Sequence, residues 1–544
     1  MNAMKKIFVI VLFLLSSYSF SQEDAWVYFN DKPNAQFYFD NPLEMLSQRS
    51  LDRRINQNIA VDIKDVPIHQ PYIEQISSSV GIEVKAKSKW FNALHVRGTI
   101  TDIQNLSSLS FVNYVYFADR SLNMSGKIKN NFKVTNAYNV NKVLDTNEFF
   151  PYGNSANQIN MLNAQILHQQ NYTGVGKVIA VMDAGFPNVD VVPAFQRLRD
   201  NNQILGGYNY VDRETDFYTR NGHGTMVLST MGGYVENELV GTAPDSHYYL
   251  FITEDVNSEN PVEESNWVEA AEYADYLGVD VITTSLGYFE YDNPNYSYTY
   301  NDIDGVTSYI SRGSDIAFSR GIICVASAGN SGSGPNPHIS VPADAFNTVA
   351  VGAVQVNEAY AAFSSIGPSF DGRVKPDLMA QGQAAVVSSI SGNIVTANGT
   401  SFSGPIMAGA ISSFWQAAPS LTNQQIVDLV KQSADRFANP TNQFGYGIPD
   451  FQLALNMAQL SLNENPNGRF LVYPNPAHDN LFVSFSNSFE ETELTLYNIL
   501  GQAILKQSVN SSQDPISVAN LNSGIYIYKI KGSSLIQSGK IIKN

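Results

Sequence analysis

The chain has 544 residues, and its 33 Lys and Arg against 50 Asp and Glu give a formal net charge of −17. At roughly 150 residues per domain, this length predicts three or four domains. The 44% of hydrophobic residues excludes a disordered chain, the acidity argues against nucleic-acid binding, and the single cysteine, Cys324, excludes an internal disulfide and a thiolate metal cluster.

Residues 1–21 are predicted to be a secretory signal peptide. Lys5 and Lys6 precede the apolar run from Ile7 to Leu15, and small residues follow that run. The run is shorter than the roughly 20 residues that a membrane-spanning helix needs. We therefore expect the chain to be exported and to carry no second membrane span.

Residues 22–120 mix strand-like and helical patterns. The runs AWVYFND and GIEVKAKS predict strands, and SQRSLDRRINQ predicts a helix. This order predicts a small α+β domain. The next stretch, residues 121–150, is rich in Asn, Ser and Lys without a sustained period, which favours a linker.

Residues 151–460 alternate short apolar strands with helical patterns. KVIAVMDAGF, DVITTSLG and GIICVASAGN are continuous apolar runs, which are typical of central strands in a parallel sheet covered on both faces. NWVEAAEYADYLG and SGPIMAGAISSFWQAA predict helices between and after them. The alternation predicts a doubly wound α/β domain with functional groups where its strands end.

Residues 463–544 return to short strands separated by Asn and Gly. NLFVSFS, TELTLYN and GIYIYKI are examples of these runs. The pattern predicts a small antiparallel β-sandwich.

Three motifs of the α/β segment combine into one chemistry. Asp183 ends the buried run VIAVMD, His223 lies in NGHGTMV, and Ser401 lies where NGTSFSGPIMAG enters an apolar helix. A serine hydroxyl becomes a good nucleophile only when a base takes its proton, and a carboxylate can orient a histidine for that task. Each motif alone is weak evidence, but together they predict a serine hydrolase.

The chain order Asp, His, Ser differs from the order in two well-known types of serine hydrolase. The α/β-hydrolases run Ser, acid, His, and chymotrypsin-type enzymes run His, Asp, Ser. The nucleophile elbow of α/β-hydrolases would need Gly two residues after Ser401, but this chain has Ser403 there. The sequence around Ser401 therefore does not match a nucleophile elbow.

With these motifs, residues 151–460 resemble the subtilisin-like (subtilase) serine peptidases. Asp-x-Gly from Asp183, His-Gly-Thr from His223 and Gly-Thr-Ser up to Ser401 match the three family signatures in order. The resemblance implies a subtilisin-like fold and a secreted endopeptidase that hydrolyses peptide bonds through an acyl-enzyme on Ser401. It also implies His223 as the general base and acid and Asp183 as the residue that orients it.

The resemblance extends to the substrate groove. Ser285, Leu286 and Gly287 resemble the stretch whose backbone pairs with an extended peptide. Asn330, in the AGN motif, resembles the residue that donates to the oxyanion.

Two positions depart from the family pattern. Ala184 stands where the family usually has Ser or Thr, and Met226 stands where it often has a second His. Neither position transfers a proton, so we expect activity to be kept.

The flanking segments resemble processing modules. Residues 22–120 resemble the inhibitory propeptide of subtilases, with a permanent accessory domain as the alternative. Residues 463–544, including YPNP from Tyr473, resemble the C-terminal sorting domain of the type IX secretion system. The resemblance implies a zymogen that crosses the periplasm to the cell surface or medium, with that secretion machinery and protein or peptide substrates as partners.

Metal and activity alternatives stay open at this point. No histidine pair has zinc spacing, so no metal ligand is assigned, although the family resemblance allows a structural calcium ion. There are two alternative functions. The protein could be an inactive surface protein that binds peptides in the same groove, or an esterase with the same triad.

Overall fold

A computed structural model describes residues 22–123 and 150–462, and in the tail residues 470–473, 477, 479–485, 492–498, 501–509, 515–531 and 536–543. The predicted signal peptide and most of the predicted linker lie outside the described residues. The chain divides into two compact units, Met1–Leu455 and Asn456–Asn544. Among the described helices, none is both long and apolar enough to cross a membrane.

An antiparallel sheet of four strands, in the order β2-β3-β1-β4, forms the N-terminal module. The elements of the module are β1 (Gln22–Phe29), α1 (Ala35–Asp40), α2 (Gln48–Asn56), α3 (Gln70–Ser77), β2 (Glu83–Ser88), β3 (Ala93–Thr99), α4 (Ile100–Asn105) and β4 (Val112–Phe117). The predicted strands and the predicted helix α2 are all present.

Strand β1 is buried on both of its faces. Ala25, Val27 and Phe29 point into the core of the module itself. Trp26 and Tyr28, which alternate with them, belong to a core shared with the peptidase segment. Successive side chains of a strand point to opposite faces, so one strand joins the two cores.

A parallel sheet of seven strands, in the order β13-β12-β11-β10-β5-β9-β6, is the centre of the peptidase segment. Its strands are β5 (Val178–Asp183), β6 (Ile204–Asn209), β9 (His247–Ile252), β10 (Val281–Thr284), β11 (Ile323–Ser327), β12 (Val349–Val354) and β13 (Leu378–Gln381), and two hairpins add β7 (Tyr234–Val235), β8 (Leu239–Val240), β14 (Ala385–Ser388) and β15 (Ile394–Ala397). Strands β5, β10 and β11 are buried at every residue, as their continuous apolar runs predict.

Helices cover both faces of this sheet, which confirms the predicted α/β class. The helices are α5 (Ala156–Asn160), α6 (Gln165–Gln169), α7 (Gln196–Asp200), α8 (His223–Gly232), α9 (Val262–Leu277), α10 (Tyr309–Ser319), α11 (Thr400–Ala417), α12 (Asn423–Gln432) and α13 (Phe451–Leu462). Helix α11 packs across β10 to β13, and α8 packs against β5 and α11. On the other face, Trp267 of α9 and Tyr309 of α10 pack with Ile282 and Cys324.

The N-terminal module packs against the peptidase face that carries α9 and α10. The ring of Trp26 stacks on that of Tyr309 at 5.0 Å, and its indole N–H donates to Ser265 Oγ at 2.9 Å. Glu272 of α9 accepts the backbone N–H groups of Lys89 and Trp90, both at 2.9 Å. The contact therefore combines a stacked aromatic pair with buried polar groups that are hydrogen-bonded across it.

In the tail, two small sheets enclose one core. The strands are β16 (Phe470–Tyr473), β17 (Asn480–Phe485), β18 (Thr492–Tyr497), β19 (Ala503–Val509), β20 (Ile516–Ser517), β21 (Gly524–Lys531) and β22 (Ile536–Lys543). One sheet has the order β16-β17-β20 and the other β19-β18-β21-β22. Leu481 and Val483 of the first sheet share a core with Leu494, Leu496 and Ile530 of the second, as a sandwich requires.

Candidate active site

Asp183 ends β5 at the carboxyl edge of the parallel sheet, where α/β folds place their functional groups. The residue is fully buried. Its Oδ1 accepts the backbone N–H of Ala184 at 2.8 Å and Nδ1–H of His223 at 2.8 Å. The carboxylate thereby fixes one ring nitrogen of His223 as the protonated one.

His223 is the first residue of α8, and its side chain is 27% exposed. Its backbone N–H donates to Asn221 Oδ1 at 2.9 Å. Gly224 permits a close approach of this helix start to the segment just after β5, because a Cβ there would lie 2.5 Å from the carbonyl oxygen of Gly185. Burial alone would lower the pKa of His223, but the charge and hydrogen bond of Asp183 raise it above the ordinary 6.5.

Ser401 is the second residue of α11. The turn before it needs Gly399, whose φ of 151° lies in a region that L side chains rarely adopt. Ser401 Oγ donates to the carbonyl oxygen of Ser285 at 3.4 Å, and the next residue, Phe402, lies 6.0 Å from the His223 ring between centroids. The fold therefore brings Asp183, His223 and Ser401 together at one edge of the sheet.

Asn330 follows β11 and faces the same helix start. Its Oδ1 accepts both the backbone N–H of Thr400, at 2.9 Å, and the Thr400 hydroxyl, at 3.0 Å. Nδ2 is therefore turned the other way. The point where a Cβ of Gly399 would stand is 3.6 Å from Nδ2 and 3.7 Å from Ser401 Oγ, so the amide donor and the hydroxyl face one common space.

Replacing Asn330 with alanine is expected to lower kcat by about 10²–10³ and to leave KM nearly unchanged, the usual effect of losing one oxyanion donor. Because Asn330 is exposed, the melting temperature should stay within about a degree or two of the parent value. Steady-state kinetics on one peptide substrate measures both constants. A raised KM with unchanged kcat would show that Asn330 contacts only the bound substrate.

Ser285, Leu286 and Gly287 continue the chain beyond the paired part of β10. Ser285 is buried, Leu286 is half-buried and Gly287 is exposed, so the segment rises from the core to the surface. Ser285 Oγ donates to the carbonyl oxygen of Ser401 at 2.9 Å, which ties the segment to the start of α11. Pairing of this segment with a peptide backbone stays a prediction.

Two further residues contribute to the site and were not predicted. Thr400 orients Asn330. The position of Thr400 inside the Gly-Thr-Ser motif is the sequence signal that could have identified it. Glu254 follows β9 and accepts the hydroxyl of Tyr288 at 2.8 Å. Burial and the nearby Glu259 raise the pKa of Glu254 to about 8. No motif marks this residue, because its hydrogen-bond partner Tyr288 lies 34 positions away in the chain.

The acidic group Glu254, Glu259 and Glu263 is the place to test the calcium expectation. One carboxylate oxygen from each residue lies within 4.8 Å of the others. Such oxygens are the ligand type that Ca²⁺ prefers, but the ion takes about six to eight of them. Three carboxylates alone provide fewer ligands than Ca²⁺ needs. Calcium binding therefore stays a prediction without an assigned site.

Family comparisons match three consecutive parts of the chain. Residues 24–136 match the peptidase S8 propeptide domain of Bacteroidota, and residues 174–447 match the subtilase family. Residues 471–544 match a secretion system C-terminal sorting domain. The protein is therefore made with a propeptide and is secreted or held at the cell surface.

Characterised relatives cover the peptidase segment. The chain is 30% identical to subtilisin DY of Bacillus licheniformis over 299 residues, which is 55% of this chain and 94% of the relative. It is also 30% identical to subtilisin Savinase of Lederbergia lenta, over 54% of this chain and 97% of the relative. Subtilisin NAT of Bacillus subtilis subsp. natto is 30% identical over 56% of this chain and 71% of its own length. The chain belongs to the subtilase family of serine peptidases.

Proposed function

We propose that the protein is a secreted serine endopeptidase in which Ser401 is the nucleophile, His223 the general base and acid, and Asp183 the residue that orients His223. The observation that carries the proposal is the 2.8 Å hydrogen bond from His223 Nδ1 to the buried Asp183, beside Ser401 at the head of α11. With Nδ1 engaged, Nε2 of the same ring is the nitrogen that can accept the proton of Ser401.

The proposed reaction has two halves. Ser401 Oγ forms a bond to the carbonyl carbon of the scissile peptide while its proton passes to His223. The imidazolium then gives that proton to the departing amine as the carbon–nitrogen bond breaks, which leaves an acyl-enzyme. Water, deprotonated by the same ring, then attacks the ester carbon. The imidazolium returns that proton to Ser401 Oγ as the ester bond breaks, which releases the acid and restores the hydroxyl.

The negative oxygen formed during each attack needs fixed donors. Asn330 Nδ2 is held toward the space beside Ser401 by the two bonds from Thr400. Backbone N–H groups in the first turn of a helix have no partner within the helix, and Ser401 lies in the first turn of α11. Both features support stabilisation of an oxyanion at this place.

Protein and peptide chains are the substrate class that suits this groove. The Ser285–Gly287 edge would pair with the backbone of an extended substrate, and main-chain pairing accepts many sequences. We infer that residues 22–120 are the inhibitory propeptide, residues 151–460 the mature peptidase and residues 463–544 the tail recognised by the type IX secretion machinery. The predicted signal peptide would direct the precursor to the periplasm first.

A fluorophosphonate probe tests the proposal directly. The secreted protein is expected to gain one phosphonate group, located on Ser401 by peptide mass spectrometry, and to digest casein at a rate that falls as labelling proceeds. A protein that cleaves a small ester but leaves casein intact would be an esterase. A protein that takes up no label would be the inactive peptide-binding form.

A further inference from the structure

The carboxyl ends of two peptidase helices contact the N-terminal module. Neither α9 nor α10 carries Lys, Arg or His in its last turn. Arg320 directly follows α10, and its side chain pairs with Asp62 at 2.8 Å and with Asp65 at 3.4 Å, both in the N-terminal module. The end of α9 instead contains the fully buried acid Asp275. The carboxyl end of a helix has open carbonyl groups and a partial negative charge, so both ends call for hydrogen-bond donors from elsewhere, and the end of α9 also calls for a cation.

Residues 47–65 of the N-terminal module, which we call the basic latch, supply those groups. Arg49 of α2 donates from Nε to the carbonyl oxygen of Gly278 at 2.9 Å and from Nη2 to that of Gly176 at 3.0 Å. Its Nη2 also pairs with Asp280 at 2.6 Å. All of these partners belong to the peptidase segment, although Arg49 itself is 44% exposed.

Arg53 and Arg54 surround Asp275. Arg53 pairs with one oxygen of Asp275 and donates to the carbonyl oxygens of Val279 and Arg320. Arg54 joins the other oxygen of Asp275 to Asp65 of the latch, both at 2.7 Å. Burial alone would raise the pKa of Asp275, but Arg54 and Arg53 lower it, so the carboxylate stays ionised.

Uncharged groups of the latch extend the same contact. The backbone N–H of Ser47 donates to the carbonyl oxygen of Tyr276 at 3.0 Å. Gln57 donates to the carbonyl oxygen of Gly321 at 2.8 Å and accepts the backbone N–H of Asn423 at 2.9 Å. The latch thus reaches the ends of α9 and α10 and the start of α12.

The latch lies at the opposite edge of the parallel sheet from the active site. Asp280 directly precedes β10 and Gly321 precedes β11, whereas Ser285 and Asn330 follow those same strands. Parallel strands all start at one edge and finish at the other. Contacts of the latch are therefore separate from those made at the substrate groove.

We propose that the basic latch is a second anchor that keeps the N-terminal module bound to the peptidase after the chain between them has been cut. Its binding partner is the pair of helix ends formed by α9 and α10. The module is then held at two places, by the β-sheet face around Trp26 and by the latch. When one contact opens, the other keeps the partners at high local concentration, so complete dissociation is slow.

The test uses the full chain with Ser401→Ala, so that its outcome does not depend on the proposed catalytic role. A recognition sequence for a site-specific protease is placed within residues 124–149 and cut after purification. Size-exclusion chromatography then shows whether the module stays with the peptidase, and an immobilised complex gives its dissociation rate. The cut module is expected to co-elute with the peptidase.

Arg49→Ala combined with Arg53→Ala removes latch contacts made to the peptidase, and it should raise the dissociation rate by roughly tenfold or more. The matched control is Lys85→Ala, which removes a lysine whose side chain pairs with Glu83 of the module itself at 2.9 Å. Release of the parent module during chromatography would overturn the proposal. Equal dissociation rates for the double variant and the Lys85 control would also overturn it.

Gln57→Ala is the second variant, in case loss of two arginines unfolds the module. The described hydrogen bonds of its side chain join only peptidase backbone groups, so the fold of the module should persist. Far-UV circular dichroism of the uncut chain checks that point. A dissociation rate above that of the Lys85 control supports the latch, and a rate equal to that control refutes it.

Discussion

Replacing Ser401 with alanine is expected to reduce turnover of a peptide substrate by about 10⁶-fold, which is the loss typical of a nucleophile that works as one unit with its base. The hydroxyl is the atom that would form the acyl bond, and His223 has no other proton to accept at that position. The fold should survive, because the change removes one oxygen from the first turn of α11. Steady-state rates with equal amounts of parent and variant measure the loss.

Ser403→Ala provides the matched control for that experiment. Ser403 lies one residue beyond Phe402 in the same helix, is fully buried, and donates to the carbonyl oxygen of Thr400 at 3.1 Å. Its loss should change turnover by only a few-fold, since it faces the helix backbone. Proteolysis by the Ser401 variant at the rate of the parent would refute the assignment of the nucleophile.

Replacing Asp183 with asparagine is expected to lower kcat by about 10⁴, because an amide can hold the imidazole in the wrong tautomer. It should also change the pH profile. Protonated His223 cannot accept the proton of Ser401, so the rate falls as the pH drops through the pKa of His223. Asp183 raises that pKa above 6.5, and its loss should move the acidic limb of kcat/KM to lower pH.

Asp190→Asn is the control for charge alone. Asp190 is exposed and lies a few residues beyond β5, so both the rate and the acidic limb should match those of the parent. The readout is kcat/KM measured from pH 5 to 9, a range that includes the ordinary pKa of histidine of about 6.5. If Asp183→Asn kept the acidic limb of the parent, Asp183 would not be the partner that sets the pKa of His223.

Elements with strong patterns could be predicted from the sequence. Val178–Asp183 and Ile323–Ser327 are continuous apolar runs, and a strand covered by helices on both faces requires them. Helices without an apolar face could not be predicted in the same way. Helix α1, at Ala35–Asp40, has no buried residue, so no periodic pattern marks it. Strand β19, at Ala503–Val509, was missed because polar residues interrupt its apolar ones.

The candidate site likewise has residues that the sequence predicts and contacts that it does not. Asp183, His223 and Ser401 lie in short motifs whose chemistry can be read one residue at a time. The orientation of Asn330 depends on Thr400, 70 residues away, and such a contact exists only in the folded chain. The latch is a further example: the helix SQRSLDRRINQ was predicted, but its contact with Asp275 joins residues more than 200 positions apart.

The two-sided burial of β1 has a consequence for the fate of the N-terminal module. Separation from the peptidase would bare Trp26 and Tyr28 beside Tyr114 and Tyr116, which form a row of aromatic rings along one side of the module. Exposed apolar rows promote aggregation, and a domain that loses one of its two cores opens more readily to proteolysis. We therefore expect a module that has left the peptidase to be degraded more readily than one that is still bound.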